Sequence, residues 1–200
     1  MDARVGLVIT EHPGHVDAGV RARYERFADV LADVAGGPCS VAHYLDPLPA
    51  GDVLVLSGSY APWAVHDQHA LDDLGTRISA DDRPALGVCA GSQLLARFSG
   101  GRHDHMADTA GEQGFVTVEL APVHPAFAGL PGRLEVFQEH TDEIVELPAS
   151  LELVASNAAC RVQAFISRDR PWWGMQFHPE RYDAQHPHGR KLLAAFFARF

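Results

Sequence analysis

A cysteine set among small residues is the part of this sequence whose surroundings first suggest chemistry. Cys89 lies in the run Gly87-Val88-Cys89-Ala90-Gly91, between a short apolar run that predicts a strand and a segment that predicts a helix. A tight strand-to-helix turn there would lift the thiol out of the edge of a sheet. The helix N-terminus would then favour a nucleophilic thiolate and could bind a developing oxyanion. The alternative is a buried structural cysteine in a glycine-flanked strand end.

A histidine and a glutamate stand two residues apart near the C-terminus. They lie in Gln176-Phe177-His178-Pro179-Glu180. Alternate side chains of an extended chain share a face, so both can point into one cleft. His178 can then take the proton of a thiol, while Glu180 orients the ring and stabilises its charged form. Taken alone, the motif is also compatible with a surface turn that carries a solvated carboxylate.

The other histidines are a weaker basis for chemistry. The sequence has 12 of them, and two close pairs are His12 with His15 and His103 with His105. A metal site needs three or four converging ligands, and neither pair has a carboxylate or thiol partner at a recognisable spacing. We therefore expect solvated loop histidines at both places, and neither a metal nor a cofactor.

Strand and helix patterns alternate through the first half of the chain. Short apolar runs predict buried strands at residues 4–10, 41–45, 52–56 and 85–88. Apolar residues at helical spacing predict helices that begin near Asp17, that include residues 71–78 and that span residues 90–98. This alternation implies right-handed βαβ crossovers and a parallel sheet covered on both faces.

The second half follows a different pattern. Apolar and polar residues alternate at 115–120, 133–137 and 161–166, which predicts half-exposed strands added to the edge of the sheet, and a last helix is predicted at about 189–200. No repeat or long linker divides the sequence. We therefore predict one domain over residues 1–200, with an α/β fold: a mostly parallel central sheet, helices on both faces and an added antiparallel edge.

Composition excludes several classes of partner. The formal charge of −10 argues against sequence-independent binding to nucleic acid or to an anionic membrane, since both require a basic face. No apolar run approaches the length of a membrane span, and the N-terminus is too short and too acidic for a signal peptide. Three widely spaced cysteines show no disulfide framework. We therefore expect a cytoplasmic protein.

The two motifs together form a pattern that covers nearly the whole chain. A cysteine in a strand-to-helix turn, a long gap and then Phe-His-Pro-Glu resemble the class I glutamine amidotransferases, whose triad is Cys-His-Glu. Other segments similar to motifs of that family are Ser57-Gly58, Glu112-Gln113-Gly114, Gly129-Leu130-Pro131, His140-Thr141-Asp142-Glu143 and Leu147-Pro148. The His-Thr-Asp stretch is more like the GMP synthase branch than the anthranilate synthase branch. The resemblance implies a flavodoxin-like sheet.

The resemblance also implies a role for each matching residue. Cys89 would be the nucleophile, His178 the general base and acid, and Glu180 the orienting carboxylate. The backbone N–H groups of Ser59 and Ala90 would form the oxyanion hole. The pocket for L-glutamine would be built from Gly58, Gln93, His140, Thr141 and Asp142. Ammonia would leave the side-chain amide, and water would hydrolyse the resulting γ-glutamyl thioester.

One position departs from the family pattern. Ser59-Tyr60 stands where the family usually has a second glycine, often followed by proline. A side chain at position 59 restricts positive φ, and so restricts a peptide flip that completes the oxyanion hole. We therefore expect low glutaminase activity in the isolated chain.

Three functions remain open from the sequence. The first is an ammonia-supplying subunit for a synthase on a separate chain, because the sequence has no glycine-rich phosphate loop of its own. The second is a freestanding cysteine hydrolase of another γ-glutamyl compound, which Tyr60 slightly favours. The third is a regulatory module with a damaged site, and the intact Cys89, His178 and Glu180 argue against it.

Overall fold

A computed structural model describes residues 2–108, 110–121 and 124–200. The strands are β1 (Val5–Ile9), β2 (Cys39–His43), β3 (Val53–Leu56), β4 (Ala85–Val88), β5 (Arg102–His105), β6 (Glu112–Leu120), β7 (Arg133–His140), β8 (Asp142–Glu146), β9 (Leu151–Ser156), β10 (Ala164–Ser167) and β11 (Trp172–Met175). The α-helices are α1 (Ala18–Ala35), α2 (Gln68–Ser79), α3 (Ala90–Phe98) and α4 (His188–Phe197). None of the helices in these ranges is long and apolar enough to cross a membrane.

The parallel half of the main sheet positions the candidate site. The sheet has the order β2-β1-β3-β4-β11-β10-β9-β6-β7, and its first five strands are parallel. This is the flavodoxin-like order, with the C-terminal β11 in the fifth place. The carboxyl ends of β1, β3, β4 and β11 therefore meet at one edge, where ligands bind in open α/β sheets.

The antiparallel half of the sheet confirms the predicted antiparallel edge, but some of its strands begin or end at residues other than those predicted. β10, β9, β6 and β7 continue the sheet in antiparallel pairs. The strand predicted at 161–166 begins only at Ala164, where its regular pairing with β9 starts, and the register with β9 shifts between Ala164 and Phe165. Glu112, predicted ahead of an edge strand, is instead the first residue of β6 and pairs with His140.

The prediction for the second strand was displaced by two residues. β2 pairs with β1 from Cys39 onward, in register with Val5. It ends at His43 because the N–H of Asp46 bonds the His43 carbonyl at 2.8 Å and closes a turn. Leu45, predicted inside the strand, is 53% exposed in that turn. An apolar side chain in a loop was mistaken for the end of a buried strand.

Two apolar cores lie on opposite faces of the sheet. Helices α1 and α4 cover one face, with Phe27, Leu31 and Phe196 among its buried residues. Helices α2 and α3 cover the other. Neighbouring strand residues point to opposite faces, so Trp173 enters the first core and Trp172 the second. Both tryptophans are buried.

Candidate active site

Cys89 occupies a strained turn between β4 and α3. Its φ of 52° and ψ of −112° make it the only non-glycine residue of the described chain with a positive φ. Its N–H donates to the Met175 carbonyl of β11 at 2.8 Å, so two neighbouring strands hold the turn. The turn also brings α3 close to β3: a Cβ added to Gly91 would lie 2.3 Å from the Leu56 carbonyl oxygen. Strain of this kind is found where a side chain must be presented to a ligand.

The structure brings Cys89, His178 and Glu180 together. Nδ1 of His178 lies 2.8 Å from Oε1 of Glu180, and the ring also lies next to the thiol of Cys89, close enough to interact with it. The His178 N–H bonds the Phe137 carbonyl of β7 at 2.8 Å and fixes the backbone that carries the ring. Each of the three side chains is largely buried. A thiol, an imidazole and a carboxylate are thus linked in series, as nucleophilic catalysis requires.

The electrostatics favour a proton on the imidazole. Burial lowers the pKa of His178, but the charge of Glu180 and the interaction with Cys89 outweigh it. The pKa of His178 therefore lies well above its ordinary value. A histidine that keeps its proton near neutral pH stabilises the neighbouring thiolate.

Residues 57–61, which we call the oxyanion loop, follow β3 beside the thiol. A Cβ on Gly58 would lie 3.1 Å from Cε1 of His178 and 3.3 Å from Cβ of Cys89, so this position has little room for a side chain. The Gly58 carbonyl is turned away, towards the hydroxyls of Tyr24 at 3.0 Å and Thr10 at 3.2 Å. The peptide is trans and planar, so the Ser59 N–H points in the opposite direction from that carbonyl.

Two N–H groups near the thiol are available to bind an anion. Within the described ranges, neither the N–H of Ser59 nor that of Ala90 takes part in a hydrogen bond. The N–H of Ala90 lies in the first turn of α3, at the positive end of the helix dipole. Both groups suit the stabilisation of an oxyanion on a carbon attacked by Cys89.

The conformation of Ser59 does not carry the strain that the sequence suggested. The positive-φ positions of the described chain do not include Ser59 or Gly58. The side chain at position 59 is thus compatible with the backbone seen here, and its hydroxyl bonds Glu11 at 2.9 Å. The expectation of low activity in the isolated chain stays a prediction, but the backbone of Ser59 no longer supports it.

A cavity of about 220 Å³ opens beside the thiol. Of the predicted pocket residues, Gln93, His140, Thr141 and Asp142 line it, together with the oxyanion-loop residue Ser59, whereas Gly58 does not. The amide of Gln93 is already bonded within the protein: its nitrogen donates to the Asp142 carbonyl at 3.0 Å and its oxygen accepts from Trp63 Nε1 at 2.9 Å. Through these bonds Gln93 holds Trp63 and the backbone of Asp142 in the wall of the cavity.

His140 lies in the wall of the cavity, where it was predicted, but its ring is turned into the protein. The residue borders the cavity, but its side chain is only 2% exposed. Nδ1 lies 3.0 Å from the Asp142 carbonyl, and Nε2 lies 3.3 Å from a Glu112 oxygen. Both ring nitrogens face protein groups, so His140 holds the wall in place instead of offering the ring to a ligand.

One buried cluster has ligand types that a metal ion uses. Glu112, His140 and Cys160 place one ligand atom each within 4.8 Å of one another. The Glu112 carboxylate already accepts hydrogen bonds from Asn157 and Gln163, both at 2.6 Å. Each carboxylate oxygen is therefore already bonded within the protein, and three ligands are one fewer than a closed zinc site needs. The cluster is a buried polar network as it stands.

Several residues around the site were given no role in it by the sequence. Trp63 forms part of the cavity wall, and the Gln176 amide nitrogen lies 3.8 Å from the Cys89 sulfur. Glu139 borders the cavity mouth and forms ion pairs with Arg23, at 3.6 Å, and with Arg181. Each belongs to a different segment, and only the folded sheet brings these segments together.

Comparisons with known proteins agree with this geometry. A model of the family described as Glutamine amidotransferase class-I matches residues 48–200. A GMP synthase (glutamine-hydrolyzing) subunit of Thermoplasma acidophilum is 36% identical over 145 residues, which cover 72% of this chain and 70% of that protein. The corresponding GMP synthase subunit of Pyrococcus abyssi is 36% identical over 113 residues, 56% of this chain and 58% of that protein. GMP synthase (glutamine-hydrolyzing) of Mycobacterium marinum is 34% identical over 185 residues, 90% of this chain and 32% of that protein.

Solved structures show the same fold. A Thermoplasma acidophilum protein superposes with a TM-score of 0.75 at 30% identity, over 96% of this chain and 93% of its own. A Thermotoga maritima glutamine amidotransferase, at 20% identity, reaches 0.72 over 100% and 98% of the two chains and supports the fold alone. Together with the family match over three quarters of the sequence, these relatives establish that the chain belongs to the class I glutamine amidotransferases.

Proposed function

We propose that this chain is the glutamine-hydrolysing subunit of a two-chain GMP synthase. One observation carries the proposal: Cys89, held beside His178 and Glu180, lines a cavity that Ser59 and Ala90 also line. In the proposal, residues 1–200 act as one domain. Its three unpaired cysteines suit a reducing compartment, so we place it in the cytoplasm.

The first half of the reaction forms a thioester. The Cys89 thiolate attacks the amide carbon of glutamine, and the carbonyl oxygen gains the negative charge. The N–H groups of Ser59 and Ala90 stabilise that oxyanion. As the carbon–nitrogen bond breaks, His178 gives its proton to the nitrogen, which leaves as ammonia. Glu180 keeps the ring oriented through the 2.8 Å contact.

The second half returns the enzyme to its starting state. His178, now neutral, takes a proton from water, and the resulting hydroxide attacks the thioester carbon. The same oxyanion donors act again. Collapse of the tetrahedral intermediate breaks the carbon–sulfur bond, releases glutamate and restores the thiolate beside a protonated His178.

The acceptor of ammonia is assigned to another chain. The Thermoplasma and Pyrococcus relatives are named as one subunit of GMP synthase, and this chain covers 58 to 70% of them. In the Mycobacterium marinum protein, by contrast, the matching part is 32% of the length. The similarity to the separate subunits favours ammonia delivery to a GMP synthase chain that is distinct from this one.

A glutaminase assay tests the proposal directly. The purified chain would be given L-glutamine with and without the synthase subunit encoded nearest to it, and glutamate and ammonia would be measured. Glutamine hydrolysis that increases when the synthase is added supports the proposal. Cys89→Ala provides the control, since it removes the nucleophile and leaves the rest of the chain unchanged.

The alternative is a freestanding hydrolase of another γ-glutamyl compound. Tyr60 favours it, because this ring is 41% exposed and lines the cavity beside Ser59. A bulky group at the mouth would contact a substituent on the γ-acyl substrate. Faster turnover of γ-glutamyl amides larger than glutamine, with no effect of a synthase, would favour this function.

A further inference from the structure

A carboxylate outside the triad holds the oxyanion loop in place. Glu11 follows β1 and is completely buried, yet its hydrogen-bond partners in the described ranges are all neutral. We propose that Glu11 is a positioning residue for the oxyanion hole: its charge fixes the loop so that the Ser59 N–H faces the reacting carbon. The inference rests on the proposed function of that loop.

The hydrogen bonds of Glu11 reach most of the loop. Oε1 accepts from the His12 N–H at 2.9 Å, the Ser59 hydroxyl at 2.9 Å and the Ala61 N–H at 3.0 Å. Oε2 accepts from the Tyr60 N–H at 2.7 Å and the Tyr24 hydroxyl at 3.2 Å. Three of these five donors belong to the oxyanion loop. Five donors therefore converge on the two oxygens of one buried carboxylate.

The carbonyl side of the loop is held as well. Thr10, the neighbour of Glu11, donates its hydroxyl to the Ser57 carbonyl at 2.8 Å. The Gly58 carbonyl, 3.0 Å from the Tyr24 hydroxyl, shares the single proton of that hydroxyl with Glu11. Because the N–H groups of Tyr60 and Ala61 are bound by Glu11, the peptide between Gly58 and Ser59 is fixed from both ends. The Ser59 N–H is then preorganised for charge that develops only in the reaction.

This arrangement explains why position 59 carries a serine. Its hydroxyl lies between Glu11 Oε1 at 2.9 Å and Nε2 of the buried His66 at 3.3 Å. A glycine at this position would lack both contacts. The departure from the family's second glycine thus replaces backbone freedom with a side-chain anchor.

Glu11→Gln tests the proposal because it keeps the shape and removes the charge. Both oxygens accept from backbone N–H groups, so the amide nitrogen faces a donor in either orientation. We expect the rate of thioester formation to fall by about 10- to 100-fold, as for a misplaced catalytic group, with little change in KM. The rate would be followed by rapid quenching and mass spectrometry, with both glutamine and γ-glutamyl p-nitroanilide as acyl donors.

The rate at which iodoacetamide alkylates Cys89 distinguishes a disturbed oxyanion hole from a general loss of structure. This substitution forms no oxyanion, so its rate should stay within about twofold of wild type if only the hole is disturbed. Ile78→Val, in the core on the opposite face, is the control for a modest loss of stability. Ser59→Ala removes only one of the five hydrogen bonds to Glu11, so we expect it to disturb folding less than Glu11→Gln. Its rate of thioester formation should fall by a smaller factor.

The outcomes separate the inference from the proposed function. Equal losses of acylation and alkylation, or unchanged acylation in both Glu11→Gln and Ser59→Ala, overturn the role of Glu11. If wild type turns over the anilide but not glutamine, with or without a synthase, the proposed function fails. The variants can still be compared on the anilide, and that comparison decides the role of Glu11. A wild type that acylates with neither donor overturns both.

Discussion

The three cysteines differ in how well their surroundings support a thiolate. Burial raises the pKa of Cys39 to about 11, and burial also raises the pKa of Cys160. At pH 7.5 roughly one Cys39 in three thousand is therefore ionised. Cys89 instead lies at the N-terminus of α3, in contact with His178.

We expect a glutamine-like chloroketone at pH 7.5 to label Cys89 alone. Mass spectrometry of the digested protein would locate the label. Raising the pH should bring Cys39 into reaction with a simple alkylating agent, because its raised pKa is then approached. Labelling mainly at Cys39 or Cys160 at pH 7.5 would contradict the assignment of the nucleophile.

The two partners of Cys89 should differ in their contribution. His178→Ala removes the proton donor to the leaving nitrogen, so we expect kcat to fall roughly 10²- to 10⁴-fold. Glu180→Gln keeps an oxygen that can orient the ring but cannot stabilise its charge, so a smaller loss is expected. Steady-state glutaminase kinetics with folded variants, verified by circular dichroism, measure both. Equal losses would argue that Glu180 has a more direct role.

At the scale of elements, the oxyanion loop tolerates no added side chain at its second residue. Gly58→Ala would place a methyl group 3.1 Å from the His178 ring and 3.3 Å from Cβ of Cys89. We expect a loss of activity of at least tenfold, because the ring or the thiol must shift, with a melting temperature close to wild type. Gly132→Ala is the matched control, since a Cβ there meets nothing within 4 Å. Equal activity of the two variants would contradict the tight fit.

Elements with strong local patterns were predictable from the sequence. β3 and β4 are continuous apolar runs bounded by turn residues, and their limits agree to within one residue. β5 was missed because Arg-His-Asp-His has no apolar pattern, and its strand form depends on pairing with β8. β11 was also not predicted, because Trp172–Met175 is short and its strand form depends on pairing with β4 and β10. Pairing between distant segments decided both.

The candidate site was predictable only where a residue type carries its own chemistry. The thiol, the imidazole and the carboxylate of Glu180 stand in short recognisable motifs. Glu11 lies 48 residues before Ser59, and its partners are mainly backbone N–H groups, which every residue but proline possesses. Such an anchor has no sequence pattern to reveal it.

At the scale of the whole molecule, the anchored loop changes what we expect of a partner. A hole that is already formed should give the isolated chain measurable basal glutaminase activity. A synthase that binds the productive state preferentially would still raise it, by about tenfold for each 1.4 kcal/mol of preference. Titration of the chain with the synthase, while glutamate release is recorded, measures the ratio of the stimulated rate to the basal rate. A rate unaffected by a bound synthase would contradict coupling between docking and hydrolysis.

The position of β11 between β4 and β10 has a consequence for biosynthesis. β4 ends at Val88, immediately before the thiol, but the strand that completes its pairing begins only at Trp172. At about 5 to 20 residues per second, a ribosome needs roughly 4 to 17 s to make the segment between them. Throughout that interval one edge of β4 lacks its native neighbour and is open to pairing with another chain. During the same interval the thiol lacks its base, because His178 has not yet been made, so a partly made chain cannot hydrolyse glutamine.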